Sequence, residues 1–272
     1  MDTRSKTEVN IFISLVICWT ISACLMLFNN IVVKRIADKL LKGRSAYTYK
    51  KASISIYKIF SYSFITFYGY LFLKNEAWVM DRFSYCVKCD FNSYSLKTSF
   101  YFIYEFSFYI TELQNVLIHG YNMKDKNQMI LHHIVTLTLI GGSFLLGYSR
   151  YGMVVMALHD ISDPFLESAK LFIYLKEKIT ADIIFTLFSI IFIISRLFIF
   201  PYVVLYPLGC HLFSGKANLI EHFFFVFLSS LFVMHVFWTK MIGKVAKNVI
   251  VKHEVRDVRS SSTDLPDRTK ID

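Results

Sequence analysis

Long apolar runs constrain this chain more than any other feature. They cover about 9–33, 53–73, 98–118, 128–148, 151–175, 180–206 and 218–239. Each meets or approaches the roughly 20 residues that a helix needs to cross a ~30 Å hydrocarbon core. A backbone in lipid has no water to bond with, so only helices and closed barrels can span. Barrel strands are shorter and alternate in polarity, whereas these runs are evenly apolar. The fold expected is an all-α polytopic membrane protein with about seven transmembrane helices. Composition points the same way. Of 272 residues 55% are hydrophobic and 17% aromatic, with 27 Phe and 4 Pro, more apolar length than one soluble core requires. The first run is too long for a cleaved signal peptide, and Cys18, Trp19 and Asn29-Asn30 give poor cleavage context.

The net charge of +10 is unevenly spread. Lys34, Arg35, Lys39, Lys42, Arg44, Lys50 and Lys51 lie between the first two runs, and Lys244, Lys247, Lys252, Arg256, Arg259, Arg268 and Lys270 lie in the tail. Short loops at 119–127 and 176–179 carry Lys124, Lys126, Lys176 and Lys178. With seven spans all four regions share one side, and the positive-inside rule makes that side cytoplasmic. The C-terminus is then cytoplasmic, and the loops at 74–97 and 207–217 face the other side. The basic charge reads either as topology with attraction to anionic lipid or as a landing zone for a phosphate-bearing substrate. No nucleic-acid-binding module fits between the spans. Cys86 and Cys89 form a C-x-x-C without a second pair to complete a zinc site, so unpaired thiols are favoured over a disulfide.

Ionisable groups inside apolar runs are expensive and mark ligand, ion or reaction sites. His132 and His133 stand about 100° apart on a helix, so at least one faces the bundle. His159, Asp160 and Asp163 have i,i+3 and i,i+4 spacing and are expected on one broad face. Pro164 removes a backbone donor beside them and is a candidate break. Arg196 is a counter-ion candidate for one of the aspartates, and Glu105, Glu112, Glu167, Lys170 and His235 complete the set. Glu167 and Lys170 read as a local ion pair. His235 reads as a hydrogen-bonded packing residue, and Glu105 and Arg196 could serve as glue between helices.

The 8 His lack the clustered H-x-x-x-H boxes of membrane di-iron enzymes, and no metal is expected, although a His/Asp zinc site is a competing reading. No G-x-S-x-G nucleophile is present. The histidines are therefore the candidate reacting groups. An imidazole can take a proton or attack an acyl carbon, and an aspartate on its second nitrogen fixes its tautomer.

The stretch Lys124-Asp125, Met129, Leu131-His132-His133-Ile-Val-Thr136, Arg150, Gly152, Leu158-His159-Asp160-Ile-Ser-Asp163-Pro-Phe-Leu-Glu167 and Lys170 resembles the Lag1 motif of ceramide synthases in the TLC-domain superfamily. Tyr104-Glu-Phe-Ser-Phe-Tyr109, Ser195-Arg-Leu-Phe-Ile-Phe-Pro201 and Met234-His-Val-Phe-Trp238 extend the likeness across roughly 50–245. Two features depart from the family: the first loop leaves no room for a homeobox-like insert, and the motif opens on Lys124-Asp125 rather than a longer basic run. The resemblance implies a TLC-domain helix bundle around a long cavity at 50–245. A helix and basic loop at 1–49 would precede it, and a disordered cytoplasmic tail at 246–272 would follow.

It also implies transfer of a fatty acyl group from acyl-CoA, as co-substrate with no cofactor, to the amine of a sphingoid base in the endoplasmic reticulum membrane. His132 would be nucleophile or base and His133 its partner. Asp160 and Asp163 would orient a histidine and hold the ammonium, with His159, Arg196 and Glu105 in support. The CoA phosphates would meet Lys50, Lys51, Lys124 and Lys126. Membrane lipids are expected partners, and a homodimer, a heterodimer or an accessory subunit stays open. The competing function is a non-catalytic TLC-domain protein that binds or senses lipid.

Overall fold

The computed structural model describes residues 3–119, 123 and 125–252, and these are helical throughout, without a β-strand. Helix α1 (Thr3–Phe28) passes through a π-helical segment at Asn29–Val33 into α2 (Lys34–Leu40). Next come α3 (Ala46–Leu73) and a loop of 3₁₀ turns, followed by α4 (Leu96–His119) and α5 (Lys126–Leu145). After these run α6 (Ser149–Asp160), α7 (Asp163–Leu175), α8 (Lys178–Ile193), α9 (Tyr206–Phe213) and α10 (Leu219–Lys252). The π-helical segments Ile194–Ile199 and Pro201–Leu205 join α8 to α9. Among the described residues, three helices are long and apolar enough to cross a membrane: Lys126–Leu145, Lys178–Phe213 and Leu219–Lys247.

The apolar run at 151–175 is two helices, not one. Pro164 sits in the first turn of α7, where its missing N–H is harmless. Its ring cannot continue α6, so the chain breaks at Ile161-Ser162. The break exposes terminal carbonyls of α6 inside the protein, and side chains satisfy two of them. Thr66 donates to the Asp160 carbonyl at 3.2 Å, and Arg196 donates to that of His159. Lys176 ends α7 in the left-handed region, and Arg44 donates to the Leu175 carbonyl at 2.9 Å. At the start of α10, Asn218 and Glu221 form a reciprocal capping box, with bonds of 3.0 and 2.8 Å. Helix α10 runs to Lys252, past the boundary expected at 246, and residues 253–272, the rest of the expected tail, lie outside the described residues.

Helix α3 packs on α7, α7 on α8, α4 on α5 and α1 on α4, while α10 closes against α5 and the segment after α8. Two apolar clusters result. Tyr57, Tyr101, Phe102, Phe108 and Met153 belong to one, and Val135, Phe188, Phe200, Leu231 and Trp238 to the other. Helices α5 and α6 contribute to both, which places their polar residues between the clusters. The 74–97 loop is fastened to the bundle by Arg82, whose guanidinium lies 3.9 Å from the Tyr202 ring centroid, and by Arg150, which donates to the Ser84 carbonyl at 3.1 Å. Cys86 and Cys89 are free thiols, with Cys86 Sγ 3.0 Å from the Tyr151 hydroxyl.

Helix α6 approaches its neighbours closely at Gly152. A Cβ there would lie 2.4 Å from Ser143 Oγ and 2.6 Å from Phe102 Cζ. Gly152→Ala is therefore expected to overpack the joint and cost about 1–3 kcal/mol. A thermal melt in detergent reads this as a lowered midpoint. Gly243→Ala, with nothing within 4 Å of its Cβ, should leave the midpoint unchanged or raise it. Equal midpoints for Gly152→Ala and the native chain would contradict the close joint.

Candidate active site

Helix α5 is held between α4 on one side and α6 and α10 on the other, so both of its histidines turn inward. His132 is 8% and His133 3% exposed. The His132 ring meets Trp238 edge-on, with centroids 5.1 Å apart, and the His133 ring meets Tyr109 at 5.8 Å. The two imidazoles are 5.4 Å apart, and neither nitrogen of His133 has a hydrogen-bond partner.

These histidines line a cavity of about 400 Å³. Asp163 and Arg196 line it too, and Tyr47, Lys50 and Lys51 stand on its wall at the α3 end. Apolar walls come from Ile54, Phe185, Phe188 and Phe192. Arg196 is 4% exposed and makes three contacts through Nη2: the His159 carbonyl, Ser162 Oγ at 3.2 Å and Asp163 Oδ1 at 3.0 Å. Its guanidinium also lies 4.9 Å from the Phe192 ring centroid. The π-helical turn Ile194–Ile199 widens the backbone where Ser195 and Arg196 both face inward.

The common face expected for His159, Asp160 and Asp163 is not formed. The break at Ile161-Ser162 separates them, and Asp163 lines the cavity while His159 and Asp160 do not. Asp160 is fully buried behind the wall, and its Oδ1 takes a long contact of 3.4 Å from the Tyr109 hydroxyl. Glu105, also fully buried, is the neighbouring carboxyl, from α4. His159 donates through Nδ1 to the Val155 carbonyl at 2.6 Å and meets His235 through Nε2 at 3.0 Å. It lines a smaller apolar cavity with Leu139, Val155, Leu228 and Leu231, and Tyr109 lines both cavities. Asp163 is engaged by Arg196 and Ser162, not by an imidazole. Lys126 begins α5 off the cavity lining, and Lys124 lies outside the described residues.

The structure adds Ser55, Lys58 and Tyr62, which the sequence pattern did not single out, and joins them to residues that it did. Lys58 forms an ion pair with Glu112 across α3 and α4, and both line the cavity. Ser55 donates to Glu167 at 2.8 Å from α3 to α7, and Glu167 pairs with Lys170 at 2.7 Å. Tyr62, Tyr109 and Trp238 supply the aromatic surface near the histidines. Among the described residues no three His, Cys, Asp or Glu side chains converge as a metal site.

Such an arrangement can remove a proton from a nucleophile or accept an acyl group at imidazole in a partly apolar chamber. Comparison with known proteins points to a lineage that fits. The family model for the TLC domain (TRAM, LAG1 and CLN8) matches residues 51–244. Human "Ceramide synthase 3" is 34% identical over 223 residues, covering 79% of this chain and 56% of the relative. "ASC1-like protein 3" of Oryza sativa subsp. japonica is 31% identical over 222 residues, covering 79% of this chain and 78% of the relative. "Ceramide synthase LOH2" of Arabidopsis thaliana is 29% identical over 227 residues, covering 80% and 76%. The chain spans little more than half the length of the mammalian relatives. With the domain model and these relatives overlapping the helices that build the cavity, the chain belongs to the TLC-domain family, within its ceramide synthase group.

Proposed function

We propose that the chain is a ceramide synthase that joins the acyl group of a fatty acyl-CoA to the amine of a sphingoid base. The observation that carries this reading is the meeting of His132, His133, Asp163 and Arg196 in one cavity that also carries Lys50 and Lys51. The thioester enters with its CoA phosphates near Lys50 and Lys51, where cations suit phosphate oxygens. The sphingoid ammonium sheds a proton to an imidazole before attack on the thioester carbon. Alternatively His132 first takes the acyl group and the amine then resolves the acyl-imidazole. In either route a C–N bond forms, the C–S bond breaks and CoA leaves. Asp163, held by Arg196, faces the cavity as the carboxylate that receives the ammonium. No cofactor enters the reaction.

The membrane arrangement belongs to the same proposal. Seven crossings are formed by α1, α3, α4, α5, α6 with α7, α8 through α9, and α10, with 50–245 as the TLC unit. Helices α6 and α7 together make the fifth crossing. The wall with Lys50 and Lys51 faces the cytoplasm, as does the C-terminus, and the membrane is that of the endoplasmic reticulum.

The test is N-acylation in membranes that carry the chain, with sphinganine and a series of acyl-CoAs. The native chain is expected to make dihydroceramide and to show a chain-length preference. His132→Ala, at matched protein level, should lose at least about 100-fold. A well-folded native chain that binds sphinganine but acylates it with no chain length would favour lipid binding without catalysis.

A further inference from the structure

Behind the cavity wall lie two carboxyl groups without a cation of their own. Glu105 and Asp160 are both fully buried, from α4 and α6. Both oxygens of Glu105 and Oδ2 of Asp160 lack any donor. The two carboxyls lie beside each other where α4 meets α6. Two carboxylates buried side by side without a cation cannot both stay ionised, so the pair favours holding a proton. The nearby cation Arg196 donates to Asp163 and Ser162. The other ionisable groups facing the pair are Tyr101, Tyr104 and Tyr109 from α4 and Asp163 from α7. Tyr109 alone among these three tyrosines lines the cavity, and it stands at once against the His133 ring and Asp160 Oδ1.

We infer that Glu105 and Asp160 form a proton-holding acid dyad and that the Tyr109 hydroxyl carries protons between it and the His133 end of the cavity. The inference rests on the acyl-transfer reading. The sphingoid ammonium loses two protons as the amide forms. One ends on the CoA sulfur, giving the free thiol. The other passes through Tyr109, which gives its own hydroxyl proton to Asp160 and takes a new one from the cavity side. The dyad holds one proton at rest and two after transfer, and it returns the second by the same route to water at the cavity mouth. Tyr109 is the member at the substrate, and Glu105 acts through Asp160 as a positioning and storage residue.

Two readouts on the purified full chain test this. Infrared spectroscopy of the native chain at neutral pH should show a protonated carboxylic acid that shifts in D₂O and is lost in Glu105→Gln. Steady-state N-acylation with sphinganine and palmitoyl-CoA should show kcat down about 100-fold in Tyr109→Phe and in Glu105→Gln, with KM for acyl-CoA held. The double variant should be no slower than either single, because the two act in series, and Glu105→Asp should recover part of kcat. Absence of the infrared band from the native chain overturns the dyad. A Tyr109→Phe chain with native kcat, or losses that multiply in the double variant, overturns the relay. A native chain with the band but no acylation sinks the acyl-transfer reading and the relay with it, while the dyad stands.

Discussion

Arg196→Met is expected to destabilise the chain by about 3–5 kcal/mol, the usual result of stripping one partner from a buried ion pair. The guanidinium neutralises Asp163 and bonds Ser162, and it also caps the carbonyl that the α6 break leaves open at His159. Methionine fills comparable volume and supplies none of these. Asp163 would remain largely buried with Ser162 as its one hydrogen-bond donor. Arg196→Lys should fall between, since an ammonium offers a point charge and cannot span three acceptors as a planar fork does. Arg196→Met with Asp163→Asn should regain much of the stability, because the uncompensated charge is gone, yet stay inactive, because the carboxylate proposed to receive the ammonium is gone. Thermal midpoints in detergent, with N-acylation per folded chain, read both effects. If Arg196→Met melts with the native chain, the guanidinium is not the tie between α6, α7 and α8.

The helices were legible because hydrocarbon imposes a length and evenness that few other sequences show. The runs at 128–148, 180–206 and 218–239 correspond to the three helices with the length and apolarity to cross. Local chemistry was legible as well. Pro164 marks the α6–α7 break. What the sequence concealed is what the break does. Spacing by three and four puts His159, Asp160 and Asp163 on one face only if the helix is continuous. Once it breaks, Asp163 faces the cavity with His132 and His133, and Asp160 turns to Tyr109 and Glu105.

Other features have no one-dimensional signature. The π-helical widening at 194–205 leaves the apolar pattern unchanged while it sets where Arg196 points. Tyr109 reads as one more aromatic in an aromatic run, yet it stands where two cavities meet. Arg82 reads as a loop charge and Arg150 as one residue of the motif, and in the fold they fasten the 74–97 loop to a ring and a carbonyl. Each depends on which helix faces which, and that is decided by packing between distant segments.

The Lys58–Glu112 pair is the sharpest instance, and it gives the second large effect. Glu112 has a side chain 1% exposed, against 17% for Lys58, and it also accepts from Asn115 at 3.2 Å. The carboxylate therefore depends on a cation that reaches it from another helix. Lys58→Met is expected to cost about 3–5 kcal/mol, because the stranded charge is the one that cannot reach water. Glu112→Gln alone should cost less: the more exposed ammonium can turn toward the cavity, and the amide still bonds Asn115. Lys58→Met with Glu112→Gln should recover most of the loss, since an amide beside a thioether carries no uncompensated charge. The double-mutant cycle should then give a coupling of at least about 1 kcal/mol. Zero coupling would mean that each residue is satisfied independently and that this pair adds nothing to the hold between α3 and α4. A large coupling would identify the pair as the polar clasp that keeps the cavity wall closed between Lys50 and the histidines.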